Sequence, residues 1–306
     1  MNYQKKQMQE AAILYYEKNQ TQSEIAKIMK LSRQTVSKIL GDAIKEKVVE
    51  IKIYNPDTSC AELEEALCER FSVKKAIVCG VSCDDESLCS LMTVRGAADY
   101  VKTLAAKGNL KIGVSWGRTV QSLISELSDS AGEGNTVFPL FGATEQGESY
   151  FLSNEIARSF ADKIGARVKY AWFPYKPDTA DDGALFKKTS YYNTLKDLWA
   201  YIDVALVGIG NTDIIDVFGK SFGYNERGHS AVGDISTHFF DSEGNFLKLY
   251  ENTLCASVDN IRGAKETVAV ASGKNKAKAI AGALRTGVVD TIITDEYTAK
   301  RILTDV

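Results

Sequence analysis

The chain has 306 residues, of which 44% are hydrophobic and 25% are charged, as in a soluble globular protein with a sizeable core. Its length predicts a small domain joined to one of ordinary size, or two domains of medium size. No run of about 18 apolar residues occurs, and the first residues are amphipathic rather than apolar. These features exclude a predicted membrane span and a signal peptide, and we expect a cytoplasmic protein.

Charge is unevenly distributed along the chain. Residues 1–53 carry 10 Lys and Arg against 6 Asp and Glu, a net charge of +4, and the remainder carries 27 against 34, a net charge of −7. A basic segment ahead of an acidic one favours contact with nucleic acid at one end, although a short segment can be basic by chance. The 6 cysteines include no CxxC pair and there are only 2 histidines, so we expect no metal site, no disulfide framework and no cofactor.

The first predicted elements are three helices, and the second and third have the spacing of a helix-turn-helix. Residues 4–18 predict the first helix, and residues 22–40 predict the pair. Apolar residues recur where two crossing helices would bury them: Ile25, Ala26, Met29, Leu31, Val36 and Ile39. Thr21 and Glu24 predict a capping box, and Ser32 predicts the N-cap of the third helix.

The third helix is the one that a helix-turn-helix places in the DNA major groove. Polar side chains at the starts of the pair and along the third helix suit base edges and phosphates. We predict that the following residues contact DNA: Gln22, Ser32, Arg33, Gln34, Thr35, Ser37 and Lys38. Lys30 occupies the turn position usually given to glycine, so a left-handed backbone there would be strained. An ordinary amphipathic helix pair in a larger core is the alternative.

Residues 48–54 alternate apolar and charged side chains and predict a short strand. A strand there would be a wing, so residues 1–54 are predicted to form a winged helix-turn-helix DNA-binding domain. The remaining residues, 55–306, would form an effector-binding and oligomerisation domain. Residues 57–72 predict a helix that links the two.

After the linking helix, short apolar runs alternate with amphipathic helices. Strands are predicted at 76–81, 110–116, 136–142, 166–173, 203–210, 266–273 and 290–295. Helices are predicted at 86–107, 118–128, 152–164, in stretches up to 201, and at 211–218, 274–286 and 295–304. This alternation predicts an α/β domain with a mostly parallel sheet and helices on both faces. In such sheets the ligand lies at the carboxyl ends of the strands.

Small and polar residues follow several of these predicted strands. Ser115, Gly117 and Thr119 end one strand and open a helix whose amides would bind an anion. The loop 272–276 is rich in Ser and Gly, and its Lys276 could add charge to the same site. A plain strand-to-helix turn and a solvated lysine are the alternatives.

The segment after residue 210 has a different character. The glycine-rich stretch 223–233 predicts a mobile loop or lid. Asp234 at its end could accept hydrogen bonds from sugar hydroxyls, or it could cap a turn.

Four segments together resemble the SorC family (SorC/DeoR-type) of sugar-binding transcriptional regulators, and the resemblance covers essentially the whole chain. They are IGVSWGRTV (112–120), LVGIG (206–210), AVGDISTHFFDSEGN (231–245) and VASGKNKAKAIAGALRTGVVDTIITDEYTAKRIL (270–303). The resemblance implies a helix-turn-helix followed by an effector domain of the sugar-phosphate isomerase-like (NagB/RpiA-like) type. It also implies a homo-oligomer, often a homotetramer, on palindromic operator DNA.

The resemblance further implies which residues bind the effector. Ser115, Gly117, Arg118 and Thr119, with Lys276, would surround a phosphate, and Asp234 and Asn154 would face the sugar pocket. The full predicted set is Gly113, Ser115, Gly117, Arg118, Thr119, Gly142, Asn154, Asp234, Ser272, Gly273 and Lys276. In some branches a basic residue stands where this chain has Phe141. That departure argues against a bisphosphate or an imine-forming aldehyde, unless Arg118 compensates.

We therefore predict a DNA-binding transcriptional regulator, a repressor of a carbohydrate-use operon that is controlled by a phosphorylated sugar, with no catalytic residues and no enzyme activity. The alternative is a sugar-phosphate isomerase or hydrolase with an accessory DNA-binding head, for which Asp234 is the one good candidate base. A nucleoid or scaffold protein without ligand control is a third possibility. The identity of the sugar, the operator and the direction of control are open at this point.

Overall fold

The computed structural model describes residues 5–51, 60–129, 132–144, 148–212, 230–248 and 252–304. The chain forms two compact units, residues 1–57 and 58–306. Within the described ranges, no helix is both long enough and apolar enough to cross a membrane.

The first unit is built from three helices around a small apolar core. They are α1 (Lys5–Ala12), which continues as a π-helical turn (Ile13–Glu17), α2 (Gln22–Met29) and α3 (Arg33–Lys45). Its buried side chains are Met8, Ala11, Ile25, Ala26, Val36, Ile39, Leu40 and Ala43. They recur at three- and four-residue intervals, so each helix buries one face. The predicted helix-turn-helix is confirmed.

The N-caps of α2 and α3 and the turn between them hold this pair of helices. Thr21 Oγ1 accepts the Glu24 amide at 3.3 Å while a Glu24 carboxylate oxygen accepts the Thr21 amide at 2.8 Å, so the predicted capping box is present. Ser32 Oγ accepts the Thr35 amide at 3.0 Å and caps α3. Lys30 adopts the left-handed conformation at φ +54°, and the Leu31 amide closes the turn on the Ala26 carbonyl at 2.9 Å.

The predicted wing strand is wrong where the structure describes it. Residues 46–51 form turns and irregular backbone instead of a strand. The amides of Val48 and Val49 both bond to the Ala43 carbonyl, at 2.9 and 3.1 Å, so the chain folds back over the end of α3. There both valines pack against the helical core, which explains their apolar character without a sheet. Residues 52–54 lie outside the described residues.

The second unit contains a sheet of parallel strands: β1 (Lys75–Cys79), β2 (Lys111–Val114), β3 (Thr136–Pro139), β4 (Arg167–Val168), β5 (Val204–Asn211), β9 (Glu266–Val270) and β10 (Thr291–Asp295). Their order across the sheet is β1-β10-β9-β5-β2-β3-β4. Each predicted strand is present, although most are shorter than predicted. Their near-continuous apolar sequences fit burial on both faces.

Helices lie between the strands as the alternation predicted. They are α4 (Ala61–Phe71), α5 (Glu86–Ala105), α6 (Arg118–Glu126), α7 (Ser153–Ile164), α8 (Ala180–Phe186), α9 (Ser190–Trp199), α10 (Val258–Arg262), α11 (Ala277–Arg285) and α12 (Glu296–Thr304). Short 3-10 turns at Ser149–Phe151 and Lys274–Lys276 precede α7 and α11. The α/β class is therefore confirmed.

Beyond β5 the structure departs from the predicted pattern. An antiparallel extension of β6 (Gly233–Ile235), β7 (His238–Phe240) and β8 (Phe246–Leu247) is added to the sheet, with β6 paired to the end of β5. Asn211 belongs to β5 rather than to the predicted helix 211–218, because it pairs with Gly233. The rest of that helix and most of the predicted lid at 223–233 lie outside the described residues.

The left-handed backbone at Lys30 gives a stability prediction for the first unit. We expect Lys30→Gly to stabilise this unit by about 1 kcal/mol, because glycine lacks the Cβ that disfavours this conformation. Hydrogen exchange of the buried amides in α2 and α3 measures the change. Lys27→Gly is the matched control, since it removes the same charge from inside α2 and should cost about 1 kcal/mol. A Lys30→Gly chain that exchanges faster than the original would contradict the prediction.

Candidate functional site

A cavity of about 450 Å³ opens at the carboxyl ends of β2, β5 and β9, which are neighbours in the sheet. Its lining includes Ser115 and Trp116 after β2, Gly208–Asn211 at the end of β5, and Ser272, Gly273, Asn275 and Lys276 after β9. The location is the one expected for a ligand in a parallel α/β sheet. Its size suits a small, polar molecule.

Two glycines give this cavity its shape. Gly117 (φ +118°, ψ 157°) opens α6, and Gly273 (φ +119°, ψ 144°) opens the 3-10 turn before α11, so both strand-to-helix turns have the same backbone conformation. Side chains rarely adopt this φ, which explains glycine at both positions. The first amides of α6 have no carbonyl partner within the helix and suit an anion.

The basic groups of the cavity are Arg118 and Lys276. Lys276 Nζ donates a hydrogen bond to the Ile209 carbonyl at 3.1 Å, which ties the loop after β9 to the end of β5. Arg118 lies near the ring of Tyr150, with 6.0 Å between its guanidinium carbon and the ring centroid. Both cations line the cavity, and they give it the positive charge that an anionic ligand requires.

Ser115 joins two strand ends rather than projecting freely into the cavity. Its amide donates to the Leu206 carbonyl at 2.9 Å, and its hydroxyl accepts the Gly208 amide at 3.2 Å. The same hydroxyl donates to the Trp116 carbonyl at 3.1 Å. Ser115 therefore fixes the relative position of the β2 and β5 ends, and it also lines the cavity.

Asp234 contributes a buried carboxylate to the cavity. One oxygen, Oδ2, accepts the Thr237 amide at 3.1 Å, and the other, Oδ1, has no hydrogen-bond partner within the described parts of the chain. Burial raises the pKa of this carboxyl group to about 6, and the hydrogen bond from Thr237 and the charge of Lys276 oppose that rise. A Cβ at position 210 would overlap Oδ1, so the carboxylate requires Gly210 beneath it.

The turn after Asp234 is strained. Ser236 and Thr237 have φ of +48° and +70°, although neither is glycine, and they form the two-residue connection between β6 and β7. Asp234 Oδ2 holds this turn through the Thr237 amide, and Ser236 lines the cavity. Strained backbone of this kind is often found at functional sites.

Aromatic side chains form one wall of the cavity. The rings of Trp116 and Phe141 lie 4.2 Å apart between centroids, and Trp116 also contacts Phe151 and Tyr175 at 5.6 Å. Trp116 and Phe151 line the cavity, whereas Phe141 is fully buried behind them. An apolar wall therefore occupies the place for which the resemblance implied a basic residue in other branches.

Most of the predicted effector residues come together at this cavity: Ser115, Gly117, Arg118, Thr119, Asp234, Ser272, Gly273 and Lys276. Gly113, Gly142 and Asn154 do not line it. A Cβ on Gly113 would lie 2.5 Å from Leu140, and one on Gly142 would lie 2.5 Å from the Pro174 backbone, so both glycines serve close packing. The Asn154 amide bonds to both backbone groups of Ala171, at 2.8 and 3.0 Å.

Several lining residues were missed by the prediction. Glu86 and Ser90 lie one turn apart on α5, and Tyr150 and Phe151 belong to the 3-10 turn before α7. Their positions follow neither a strand end nor a phosphate-binding pattern, so the sequence offered no signal for them. Gly208 and Gly210 did carry a signal, since both close a strand that the sequence predicted.

The predicted DNA-contacting residues share one region of the first unit. Ser32, Arg33, Gln34, Ser37 and Lys38 are exposed, whereas Gln22 and Thr35 are half-buried. The buried positions of α3, such as Val36 and Ile39, lie on its other side. The polar face of α3 is thus open to solvent within the described chain.

The raised pKa of Asp234 predicts how stability depends on pH. Below about pH 4 the group is protonated in both the folded and the unfolded chain, and it contributes nothing. Between pH 4 and 7 the unfolded chain ionises first, so the free energy of unfolding falls as the pH rises. Asp234→Asn removes this loss, and its stability relative to the original chain should rise by up to about 3 kcal/mol over that range.

Urea unfolding at a series of pH values measures this difference. Asp85→Asn is the control of opposite sign, because hydrogen bonds from the Ser87 hydroxyl and the Leu88 amide lower the pKa of Asp85. The relative stability of that variant should fall as the pH rises. A pH-independent difference for Asp234→Asn would show that the carboxyl group titrates normally.

Comparison with known proteins gives a family match in each of two segments of the chain. Residues 55–304 match a family described as "Putative sugar-binding domain", and residues 7–46 match region 4 of sigma-70 factors, a helix-turn-helix region. The sorbitol operon regulator of Klebsiella pneumoniae is 29% identical over 95% of this chain and 96% of its own length. The deoxyribonucleoside regulator of Bacillus subtilis is 26% identical over 100% of both chains.

A solved structure shows a likeness over nearly the full length of the chain. The crystal structure of the full-length sorbitol operon regulator SorC from Klebsiella pneumoniae superposes with a TM-score of 0.73 at 26% identity, covering 99% of this chain and 100% of that one. The helix-turn-helix, the mostly parallel α/β sheet and these relatives agree with one another. The chain therefore belongs to the family defined by this sugar-binding domain, and it is a transcriptional regulator of the SorC type.

Proposed function

We propose that this regulator is a repressor of a carbohydrate-use operon whose operator affinity changes when a phosphorylated sugar occupies the cavity at the ends of β2, β5 and β9. The observation that carries the proposal is the composition of the cavity. It combines a helix start suited to an anion and two cations with a buried carboxylate, one oxygen of which has no hydrogen-bond partner among the residues that the structure describes. A sugar phosphate presents the complementary groups, a dianion and hydroxyl donors.

The phosphate would lie at the start of α6. The amides after Gly117, the hydroxyl of Thr119 and the guanidinium of Arg118 supply the donors, and Lys276 adds charge from the loop after β9. A sugar hydroxyl would then donate to Asp234 Oδ1. That bond would remove the cost of burying an acceptor without a partner.

The same charges favour an effector with one phosphate rather than two. The lining holds two cations, Arg118 and Lys276, and two carboxylates, Glu86 and Asp234, so it has no surplus of positive charge for a second phosphate. The aromatic wall around Trp116 suits the apolar face of a sugar and would not solvate another phosphate.

Control of DNA requires that the two ends of the chain act together. Residues 1–54 would bind operator DNA through the polar face of α3, and residues 55–306 would bind the effector and assemble a homodimer or homotetramer on palindromic half-sites. The effector would shift the equilibrium between arrangements of the protomers that fit and do not fit the half-site spacing. Such a protein would act in the cytoplasm, where the DNA is.

We propose no enzyme activity for the second unit. Asp234, the candidate base, is held by the Thr237 amide in the β6–β7 turn, and that role fits recognition of a hydroxyl. Turnover of pentose or hexose phosphates by the purified chain would overturn this part of the proposal.

Thermal unfolding with a panel of sugar phosphates tests the effector. The names of the relatives mention sorbitol and deoxyribonucleosides, so the panel includes phosphorylated sorbitol and phosphorylated deoxyribose, with the unphosphorylated compounds as ligand controls. A ligand at a hundred times its Kd should stabilise the fold by about 2.7 kcal/mol. Arg118→Gln should lose most of this effect, whereas Arg158→Gln, which removes two exposed ion pairs on α7, should keep it. Equal stabilisation by sugars with and without phosphate would contradict the proposed phosphate site.

Operator binding tests the recognition helix. Arg33→Ala should weaken binding by about 1–3 kcal/mol if Arg33 contacts a base, and the effect should differ between operator sequences. Lys107→Ala is the control, since it removes one positive charge from an exposed position in the second unit. Both are measured by fluorescence anisotropy at fixed salt, because phosphate contacts make affinity depend on salt. Unchanged affinity for Arg33→Ala would remove α3 from the interface.

A further inference from the structure

One motif of the sequence has no part in the proposed effector contacts. It is the segment 293–299, ITDEYTA, which forms the end of β10 and the start of α12. Its Asp295 is fully buried and its Thr298 nearly so, at 0% and 2% exposure. Burying a carboxylate costs free energy unless its oxygens accept hydrogen bonds, so Asp295 requires partners that offset this cost.

Thr298 connects this segment to the cavity. Its amide and its hydroxyl donate to the two oxygens of Asp295, at 2.9 and 2.5 Å. The same hydroxyl accepts the amide of Gly273 at 2.9 Å. Gly273 precedes the 3-10 turn of the cavity loop and has φ +119°. The hydroxyl of Thr298 therefore holds the loop at a residue whose backbone conformation side chains rarely adopt.

Two salt bridges at the surface also connect the cavity loop to α12. Asp84 contacts Lys274 Nζ in the cavity loop at 2.9 Å and Arg301 on α12 at 3.5 Å. These groups are partly exposed, so the contact is the weaker of the two. Both contacts join the same pair of elements, the cavity loop and α12.

The far end of α12 contacts α4, the first helix of the second unit in the chain. Arg70 on α4 donates from Nη1 to the Leu303 carbonyl at 2.5 Å. The side chain of Glu64 on the same helix accepts the amide of Val78 in β1 at 2.8 Å. In sequence, α4 follows directly on the segment that joins the two units. A displacement of α12 would therefore change the contacts of α4, which lies close in sequence to the first unit.

We propose that Thr298 is a positioning residue that couples the effector cavity to α4 through α12. The inference rests on the proposed function of the cavity. When an anion at the start of α6 contacts Lys276 of the loop 272–276, the Gly273 amide and the Thr298 hydroxyl move together, because a hydrogen bond and a buried carboxylate fix their geometry. Helix α12 transfers this displacement to the Arg70–Leu303 contact. The link consists of hydrogen bonds and one helix, a kind of contiguous network that can carry energetic coupling between sites.

Hydrogen exchange of the full chain with inorganic phosphate as the probe tests this coupling. In the original chain, phosphate should slow exchange in the loop 272–276, in α12 and in α4. Thr298→Val keeps the shape and removes the hydroxyl. It should weaken phosphate binding by roughly tenfold, the effect of about one hydrogen bond, and at matched saturation it should lose the response of α4. Thr298→Ser keeps the hydroxyl and should restore both.

Arg70→Met tests the other end of the link without touching the cavity. It should leave phosphate affinity within about twofold of the original, a difference well below one hydrogen bond, and abolish the response of α4. This variant decides the matter if Thr298→Val does not fold.

The outcomes separate the two proposals. Absence of slowed exchange at the cavity loops of the original chain would reject the proposed anion site, and the coupling with it. Slowed exchange at the loops without any change in α4 would reject the coupling and leave the proposed function standing. A response of α4 that persists in both Thr298→Val and Arg70→Met would also overturn the coupling.

Discussion

The parallel pairing of β5 with β2 on one side and β9 on the other is the constraint on which the rest of this structure depends. Val114 of β2 lies opposite Leu206 of β5, and Gly208 of β5 lies opposite Val270 of β9. This register makes three strands end at the same edge of the sheet. The loops that follow them come from distant parts of the sequence, and the side chains of Ser115 and Lys276 join them to the end of β5. The cavity, its two glycine turns and its cations are consequences of that register.

Three features of the site lower the stability of the folded protein. Asp234 buries an acceptor that has no partner in the described part of the chain, the turn Ser236–Thr237 is left-handed without glycine, and Gly210 must lack a side chain for the carboxylate to fit. Each of these features costs free energy in the empty protein. They lie together at the point where β6 is added to β5. A ligand that donates to Asp234 would recover part of that cost, which makes the cavity responsive to occupation.

The sequence predicted those elements whose information is local. Capping residues, helical spacing and the polar face of α3 are properties of a few neighbouring residues, and Thr21, Ser32 and Val36 lie where the pattern placed them. The prediction of a wing strand was wrong because it, too, used only local information. The apolar residues Val48 and Val49 fit a strand locally, but packing against the three-helix core recruits them instead. Gly113 and Gly142 were assigned to the ligand because a glycine required by packing looks the same in sequence as one required by a binding site.

By itself, the sequence determined the α/β class, the helix-turn-helix and those cavity residues that lie at strand ends and helix starts, because such places carry glycines, hydroxyls and lysines at fixed positions. Only the tertiary structure decided that Glu86 joins the cavity, that Asn154 instead holds the backbone at Ala171, and that Thr298 supports the loop at Gly273. Those roles depend on which face of an element meets a segment far away in the chain. Local patterns specify the elements, whereas the register of the sheet specifies their neighbours.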